Sequence, residues 1–282
     1  MTDSDKTAHI ERFGRHGVWG WFGRFSADEA REIERLGYGT IWLGGSPTDL
    51  RPVRKVLEAT ENITVATGIV NIWNTDPRAI AGEFHELEQD FPGRFYLGVG
   101  AGHPEATAEY TTPFEAVGNY LDALDDARVP VNRRLLAALG PRMLRCSAER
   151  SLGAHPYLVP VAHTAEARKV LGEGVLLAPE HKVVLDTDPA AARAVGRPPV
   201  DDPYLHLRNY TSNLKRLGYS DTDIADGGSD RLIDALVAHG DAARIRAQVD
   251  EHLAAGADHV AIQVLGSNSP TEQLAAIIAA GS

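Results

Sequence analysis

The sequence predicts a (β/α)8 TIM barrel that carries a helical insertion between its seventh and eighth strands. Short apolar runs alternate with amphipathic helical stretches, and eight strand–helix pairs are recognisable along the chain. Eight such pairs in about 250 residues are typical of this fold. The competing prediction is a doubly wound open sheet, but no glycine-rich dinucleotide-binding turn follows the first strand.

The first half of the chain contains four predicted strand–helix pairs. Two helices begin at recognisable caps, because Ser26 and Glu29 match a capping box and Asp76 precedes a proline. The strands are predicted at 16–21, 40–45, 62–73 and 94–102, and the helices at 26–37, 50–60, 76–93 and 112–127.

The second half continues the alternation more weakly. The strands are predicted at 133–139, 156–161, 180–187 and 259–266, and the helices at 141–151, 164–172, 188–196, 241–257 and 271–280. A helical insertion at about 202–239 interrupts the pattern, and it is expected either to cover the barrel mouth as a lid or to mediate dimerisation. No linker or low-complexity segment divides the chain, so residues 1–282 are predicted to form a single domain.

Composition favours a cytoplasmic globular protein. The chain is 43% hydrophobic and 24% charged, which is an ordinary balance. A formal net charge of -11 argues against a nucleic-acid partner, since such a surface needs a basic stripe. The single cysteine, Cys146, excludes an internal disulfide. The N-terminal segment is polar and no apolar run reaches the roughly 20 residues of a membrane span, so we expect neither a signal peptide nor a membrane partner.

Glycines and aromatic residues dominate the predicted strand ends, where a TIM barrel places its active site. Carboxylates are almost absent from these positions. The residues concerned are Trp21, Phe22, Gly23, Gly44, Gly45, Ser46, Asn71, Ile72, Trp73, Asn74, the stretch 98–103, Leu139, Gly140, Pro141, Arg142, Ser267 and Asn268.

Several kinds of catalytic site are excluded by this composition. The strand ends offer no paired carboxylates for glycoside hydrolysis, no zinc-binding histidine spacing, no nucleophile elbow and no P-loop, so no metal site is predicted. The stretch GVGAGHPEA at 98–106 departs from the G-x-G-x-x-G fingerprint, because its third glycine comes one position early. Bare backbone and flat side chains instead suit a large planar cofactor. The alternative is that these glycines only relieve crowding at the barrel rim.

The turn after the fifth strand is predicted to bind an anion. Gly140 and Pro141 open a helix, whose free N–H groups and dipole attract negative charge. Arg142 adds a guanidinium suited to phosphate. The alternative is that Pro141 only starts the helix and Arg142 only lies on the surface.

At these residues the chain resembles the luciferase-like monooxygenase superfamily, in particular its actinobacterial branch of coenzyme F420-dependent oxidoreductases. The pairing of TGIVN with the later GRFYLGVGAGH is the most specific part of the resemblance. The matching stretches are LGYGTIWLGG, TVATGIVN, DPRAIAGEFHELEQDFPGRFYLGVGAGH, ALGPRML, AHPYLVPVAHTAEARKVLGEGVLLAPE and GADHVAIQVL.

The resemblance implies a position for the cofactor. A bulge in the third strand with a non-prolyl cis peptide, near Gly68 and Ile69, is expected to back the deazaflavin ring. The glycines of the fourth strand are expected along the ring, and the turn after the fifth strand and the stretch 153–157 near its phosphate-bearing tail. The implied cofactor-binding residues are Gly68, Ile69, Asn71, Gly100, Ala101, Gly102, Leu139, Gly140, Pro141, Arg142 and His155.

The chain also departs from its relatives. Related sugar-phosphate dehydrogenases have a histidine after strand two and a glutamate after the strand-four glycines. Here Gly44, Gly45 and Ser46 follow strand two, and His103 occupies the glutamate position. We therefore do not expect the sugar-phosphate reaction. His103 is the candidate catalytic proton donor, since a histidine titrates near neutral pH; the alternative is a rim histidine that hydrogen-bonds a loop.

The remaining candidates are expected to contact the substrate or to be structural. Trp42 is predicted to lie in the core, and Glu180 and His181 are predicted to be structural residues at the bottom of the barrel. The substrate wall is assigned to Trp21, Phe22, Gly45, Ser46 and Trp73.

The resemblance thus implies an F420-dependent oxidoreductase that transfers a hydride between the deazaflavin and a small organic molecule. Two alternatives stay open: an FMN-dependent luciferase-like monooxygenase, and a protein that binds a flavin or deazaflavin without turning it over. The resemblance also implies a homodimer.

Overall fold

A curled parallel sheet organises the fold. The computed structural model describes residues 3–102, 112–267 and 270–281, and eleven strands of these ranges form the sheet. The strands are β1 (His16–Trp21), β2 (Thr40–Gly44), β3 (Thr64–Thr67), β4 (Val70–Asn71), β5 (Phe95–Gly100), β6 (Arg134–Leu136), β7 (Gly153–Ala154), β8 (Leu176–Leu177), β9 (Glu180–Val184), β10 (Val237–His239) and β11 (Val260–Val264).

The sheet closes on itself through one extended segment. The strand order is β10-β9-β11-β1-β2-β3-β5-β6-β7-β8, with β4 paired to β5. Only Ala178 and Pro179 separate β8 from β9 along the chain. Because β8 pairs with β7 and β9 pairs with β11, this segment joins the two ends of the path. The predicted TIM barrel is confirmed, with β3 and β4 as two pieces of its third strand and β10 as an addition to the second edge of β9.

Helices surround this barrel. The capping box of Ser26 and Glu29 forms at the start of the second helix, and Asp76 accepts from two backbone N–H groups at the start of the fourth. The helices are α1 (Asp3–Glu11), α2 (Ala27–Arg35), α3 (Arg51–Ala59), α4 (Pro77–Asp90), α5 (Pro113–Asp126), α6 (Pro141–Arg150), α7 (Val161–Leu171), α8 (Pro189–Asp201), α9 (Arg208–Arg216), α10 (Asp221–Ile224), α11 (Asp230–Leu236), α12 (Ala242–Ala254) and α13 (Pro270–Ala279).

The sixth strand differs from its predicted position. The apolar run 156–161 was predicted as the strand, but β7 lies at Gly153–Ala154 and α7 begins at Val161. Pro156 and Pro160 have no N–H to donate to a strand ladder, which explains why pairing stops after β7. The run is nevertheless buried: Leu158 and Val159 are 3% and 1% exposed, and Leu158 packs in one core with Val184 of β9.

The insertion between β9 and β11 is helical for most of its length, as predicted, and ends in a strand. It contains a 3₁₀ turn at Tyr204–His206, the helices α9, α10 and α11, and the strand β10. Leu205 and Leu207 pack with Leu232 in a core that also includes Val184 of β9 and Val200 of α8. This core attaches the insertion to the barrel at β9.

Aromatic rings fill the lower part of the barrel. Phe13 and Trp42 have no exposed surface, and their ring centroids lie 5.7 Å apart. Trp42 is therefore in the core, as predicted. Its indole stacks on the imidazole of His155 at 3.9 Å with an 11° tilt, and its Nε1 donates to Nε2 of His259 at 2.9 Å.

Three buried histidines are held in their neutral form. Burial lowers the pKa of His155 and of His181 to about 4 and that of His259 to about 3, because a charged imidazole is poorly solvated inside the protein. Acid therefore protonates these residues more readily in the unfolded chain, where their pKa is near 6.5.

We predict that the protein loses stability as the pH falls from 6.5 toward 4. The stability that each neutral histidine contributes is complete above pH 6.5. Below that pH the unfolded chain takes up a proton that the buried imidazole excludes, so each histidine lowers the free energy of unfolding by up to about 1.4 kcal/mol per pH unit. Denaturant unfolding at pH 7 and pH 5 should differ by roughly 3–6 kcal/mol for the three together. His181→Gln should flatten the dependence, whereas His206→Gln, at a position with a largely exposed side chain, should leave it unchanged. A flat profile in the unmodified protein would contradict the prediction.

Candidate functional site

A cavity of about 450 Å³ lies at the carboxyl ends of the barrel strands. Its wall combines the ends of the strands with the start of α6 and part of the insertion. The lining residues are Trp19, Trp21, Gly45, Ser46, Gly68, Ile69, Asn71, Ala101, Gly102, Pro113, Ala137, Ala138, Leu139, Gly140, Met143, His155, Tyr157, Tyr204, Asn209 and Tyr210.

Most of the residues predicted to bind cofactor or substrate meet in this cavity. Five of them do not line it, namely Phe22, Trp73, Gly100, Pro141 and Arg142. His103, the predicted proton donor, and Asn268 lie outside the residues that the structure describes. The predicted members of the lining are Trp21, Gly45, Ser46, Gly68, Ile69, Asn71, Ala101, Gly102, Leu139, Gly140 and His155.

Two indole rings explain why glycines, Gly44 and Gly45, stand at the end of β2. A Cβ on Gly44 would stand 1.8 Å from the ring of Trp19, and one on Gly45 would stand 2.1 Å from the ring of Trp21. The end of β2 is therefore glycine because aromatic side chains of β1 lie directly on its backbone. Trp21 is still 59% exposed at the cavity mouth.

The predicted cis peptide is present in the third strand. It joins Gly68 to Ile69, between β3 and β4. A Cβ on Gly68 would lie 2.9 Å from Nε2 of His155 and 3.2 Å from Nε1 of Trp19. Glycine at this position therefore lets the backbone lie against two polar side-chain atoms of the barrel interior.

Three glycines lie at and after the end of β5, the fourth strand predicted from the sequence, and each is explained by a different contact. A Cβ on Gly98 would stand 1.9 Å from the carbonyl oxygen of Thr67 in the neighbouring strand. A Cβ on Gly100 would stand 2.7 Å from Cδ1 of Ile69 and 2.8 Å from Cβ of Ala137. Gly100 thus packs between strands, and the cofactor contact that the resemblance implies for it stays a prediction.

The third glycine of this stretch does lie in the cavity wall. Gly102 has a φ of +56°, a conformation that favours glycine, and its missing Cβ would approach Nδ2 of Asn71 at 2.6 Å. Gly102 and Ala101 both line the cavity. Their predicted contact with a cofactor stays a prediction.

The predicted anion turn is only partly in the cavity wall. Gly140 is the N-cap of α6 without a side-chain cap, and Leu139, Gly140 and Met143 line the cavity. The guanidinium of Arg142 is exposed and lies 3.8 Å from the ring centroid of Phe114. Arg142 is thus engaged by an aromatic ring outside the lining, and its phosphate-binding role stays a prediction.

Two polar atoms of the lining residues have no partner among the described residues. They are Nε1 of Trp19 and Nε2 of His155, on side chains that are 5% and 1% exposed. Nδ1 of His155 lies 2.7 Å from the carbonyl oxygen of Ala178, so it carries the proton in the neutral ring. Nε2 is then an acceptor, next to the indole donor of Trp19. Each unsatisfied buried group costs about 1–3 kcal/mol.

Sequence reasoning missed part of the cavity wall. Trp19 could have been found, because it is two residues from Trp21 on a strand and shares its face. The insertion residues Tyr204, Asn209 and Tyr210 carried no such signal, since their place depends on packing against distant strands. The other unpredicted lining residues are Pro113, Ala137, Ala138 and Met143, whereas Tyr157 belongs to the stretch 153–157 that the resemblance implied near the cofactor tail.

Within the ranges that the structure describes, no cluster of three or more histidine, cysteine, aspartate or glutamate side chains is arranged to hold a metal ion. No helix in these ranges has the length and apolar character needed to cross a membrane.

Comparison with known proteins confirms the resemblance to the luciferase-like monooxygenases. The sequence model of the luciferase-like monooxygenases matches residues 24–124, which include β2, β3, β4 and β5. No curated protein matches the chain. The matched region also contains Gly44 and Gly45, the cis peptide between Gly68 and Ile69, and the glycines of the stretch 98–102, so it supplies part of the cavity wall.

Solved structures of similar fold cover nearly the whole chain. An F420-dependent secondary alcohol dehydrogenase, in complex with an F420–acetone adduct, is 15% identical with a TM-score of 0.72 and covers 95% of this chain and 99% of its own. The coenzyme F420-dependent tetrahydromethanopterin reductase of Methanopyrus kandleri is 16% identical with a TM-score of 0.65 and covers 94% and 97%.

An FMN enzyme has the same fold. The oxygenating component of 3,6-diketocamphane monooxygenase from Pseudomonas putida, in complex with FMN, is 13% identical with a TM-score of 0.67 and covers 93% of this chain and 96% of its own. At such identities the similarity establishes the fold, and it leaves the cofactor and the reaction to be argued from the site.

We predict that Gly98→Ala destabilises the protein by about 3 kcal/mol or more, because the new Cβ meets the backbone of β3 and cannot be relieved by a side-chain rotation. The matched control is Gly82→Ala in α4, where the added Cβ has open space and should stabilise by about 0.5–1 kcal/mol. Denaturant unfolding of both variants tests this. Equal stability of the two would show that β3 and β5 do not require this close approach.

Proposed function

We propose that this protein is a coenzyme F420-dependent oxidoreductase, which transfers a hydride between the deazaflavin ring and a small organic substrate in the cavity. The observation that carries the proposal is the unpartnered donor of Trp19 beside the unpartnered acceptor of His155, against the bare backbone of Gly68. Two desolvated polar atoms of opposite character need a ligand edge that presents an acceptor next to a donor.

The ring of a deazaflavin supplies such an edge. Its pyrimidinedione part has carbonyl oxygens on either side of an N–H group. Nε1 of Trp19 would donate to a ring carbonyl, and Nε2 of His155 would accept from the ring N–H. Since burial holds the pKa of His155 at about 4, this nitrogen stays an acceptor at neutral pH.

The remaining wall also suits a flat ring with an anionic tail. The cavity volume of about 450 Å³ is in the range of sites for cofactors and small molecules. Gly68, Ala101 and Gly102 present little side chain on one side of it. The uncapped start of α6 at Gly140 offers backbone N–H groups for the phosphate-bearing tail.

The coenzyme would supply the hydride chemistry, and the chain would orient the reactants and exclude water. Trp21, Gly45 and Ser46 lie at the mouth of the cavity, where we place the substrate. Tyr204, Asn209 and Tyr210 bring the insertion over the opposite side. The insertion therefore acts as a fixed cover in this proposal, which is the first of its two predicted roles.

An FMN-dependent luciferase-like monooxygenase is the second candidate. The observation that favours it is the same donor–acceptor pair, because the ring of FMN has the same pyrimidinedione edge.

We predict that titration with coenzyme F420 gives micromolar binding and that FMN binds more weakly. The measurement follows the fluorescence of each ring while purified protein is added. Tighter binding of FMN would favour the second candidate, and absence of binding for both would reject the proposal. Binding without hydride transfer to a broad panel of substrates would favour a protein that only holds the cofactor.

Removal of the indole donor should weaken cofactor binding. We predict that Trp19→Phe raises the Kd roughly 5- to 100-fold, since the ring carbonyl loses its hydrogen bond inside the protein. Trp73→Phe is the matched control, because Trp73 also has a buried Nε1 without a partner among the described residues but does not line the cavity. Equal effects of the two variants would mean that Trp19 acts through packing and not through its N–H.

A further inference from the structure

A buried ion pair lies in the barrel wall below the cavity. Glu180 and Lys182 are two residues apart on β9, so their side chains share one face of the strand. Neither has exposed surface, and Nζ of Lys182 donates to Oε1 of Glu180 at 3.0 Å. The backbone N–H of Leu158 donates to the second carboxylate oxygen, also at 3.0 Å.

A chain of hydrogen bonds connects this pair to the cavity. Oε1 of Gln263, on β11, accepts from Nζ of Lys182 at 3.3 Å and from the hydroxyl of Tyr157 at 2.9 Å. Tyr157 is also hydrogen-bonded to Tyr204. Because the proton of Tyr157 points to Gln263, its oxygen is the acceptor in the second bond and the hydroxyl of Tyr204 is the donor.

Both tyrosines of this hydrogen-bonded series, Tyr157 and Tyr204, line the cavity. Tyr157 follows β7, whereas Tyr204 comes from the 3₁₀ turn of the insertion. The ring of Tyr204 is held between Tyr157 and Tyr210, with centroid distances of 5.4 and 4.8 Å. The donor at the cavity end of the chain is therefore fixed by aromatic contacts on two sides.

The ammonium group of Lys182 lies against the two phenol rings. Nζ is 3.9 Å from the ring centroid of Tyr157 and 5.9 Å from that of Tyr204. Burial lowers the pKa of Lys182 and raises that of Glu180. A buried ion pair is often no more stable than apolar side chains of the same size, so stability alone does not account for it. A cation at this place stabilises negative charge on either phenol oxygen.

Tyr204 is suited to give a proton and not to take one. Burial is the main cause that raises its pKa to about 12, so the hydroxyl stays protonated at neutral pH. An alkoxide is a stronger base than this phenolate, since even water has a pKa near 15.7. Proton transfer from Tyr204 to a developing alkoxide is therefore downhill.

We propose that Tyr204 is a catalytic residue that donates its hydroxyl proton to the oxygen of a carbonyl substrate, and that Tyr157, Gln263 and Lys182 are positioning residues for it. The inference rests on the proposed function and adds a substrate class, a carbonyl compound and its alcohol. The proton donor is then a residue of the insertion, whereas His103 is the donor that the sequence predicts.

The step balances in atoms and charge. The carbonyl carbon accepts a hydride from the reduced deazaflavin, which is thereby oxidised, and the π bond to oxygen breaks. The oxygen takes the proton of Tyr204 and leaves an alcohol. Before this transfer the hydroxyl proton of Tyr204 turns from Tyr157 to the substrate oxygen. The hydroxyl of Tyr157 then turns from Gln263 to the phenolate of Tyr204, and the charge of Lys182 stabilises that phenolate. Water at the cavity mouth returns a proton to Tyr204.

Binding of a ketone to the cofactor-free protein is the first test. Cyclohexanone is the probe, and methylenecyclohexane is the same shape without oxygen; both are followed by quenching of tryptophan fluorescence. We expect Tyr204→Phe to weaken cyclohexanone binding about five- to tenfold and to leave methylenecyclohexane unaffected. Equal effects on both probes would overturn a hydrogen bond from Tyr204.

Turnover of the F420-loaded enzyme with cyclohexanone is the second test. We expect Tyr204→Phe to lower kcat by about 10²- to 10⁴-fold, far more than it raises KM, without changing the Kd for F420. The control is Tyr219→Phe, the same change at an insertion residue outside the cavity lining, which should behave as the unmodified protein.

The positioning role is tested by the double variant Glu180→Gln, Lys182→Met, which removes both buried charges and so leaves neither unpaired. It should lower kcat at least about tenfold while the Kd for F420 is unchanged.

A kcat of Tyr204→Phe within about threefold of the unmodified enzyme would overturn the assignment of Tyr204 as the proton donor. Binding of F420 without reduction of cyclohexanone would overturn the substrate class, whereas failure to bind F420 would reject the proposed function itself.

Discussion

Closure of the sheet is the constraint on which the cavity depends. The segment 176–184 pairs with β7 through its first part and with β11 through its last part, and this double pairing converts an open path of strands into a ring. Closure also forces neighbouring backbones together: a Cβ on Gly153 would stand 2.0 Å from the carbonyl oxygen of Leu176, much as one on Gly98 would meet Thr67. Glycine at these positions is thus a requirement of the ring, and the same ring gathers the strand ends around one cavity.

Inside such a ring, polar groups need partners because water is excluded. Most have them: Trp42 donates to His259, and Thr67 exchanges two hydrogen bonds with Gly98 at 2.9 Å. The exceptions among the lining residues are Trp19 and His155, whose polar atoms meet at Gly68. An unpartnered donor beside an unpartnered acceptor adds nothing to the stability of the barrel, since each unsatisfied buried group costs about 1–3 kcal/mol. Their position in the cavity wall is therefore best explained by a ligand.

Local patterns sufficed to predict the barrel and most of its strand ends. The alternation of strands and helices, the caps at Ser26 and Asp76 and the glycines after the strands are properties of neighbouring residues, and the structure has them where they were expected. The glycines were harder to interpret, because Gly100 serves contact between strands and Gly102 faces the cavity, although they stand two residues apart. Tyr204 was not predictable at all, since only the packing of the insertion on β9 brings it to the cavity.

That packing links the two ends of the proposed proton-donating chain. Lys182 and Val184 lie on the same strand, and Val184 belongs to the core that holds Leu205, the residue after Tyr204. The cation and the phenol it acts on are therefore positioned by one strand and one hydrophobic core. In the proposed function the insertion supplies only part of the substrate wall, through Tyr204, Asn209 and Tyr210, and its helices can change without disturbing the ring of strands. A change in α9 would then alter the shape offered to the substrate while the charge beneath it stays in place. In the proposed function, the buried ion pair and the segment that shapes part of the substrate wall are therefore separate parts of the chain.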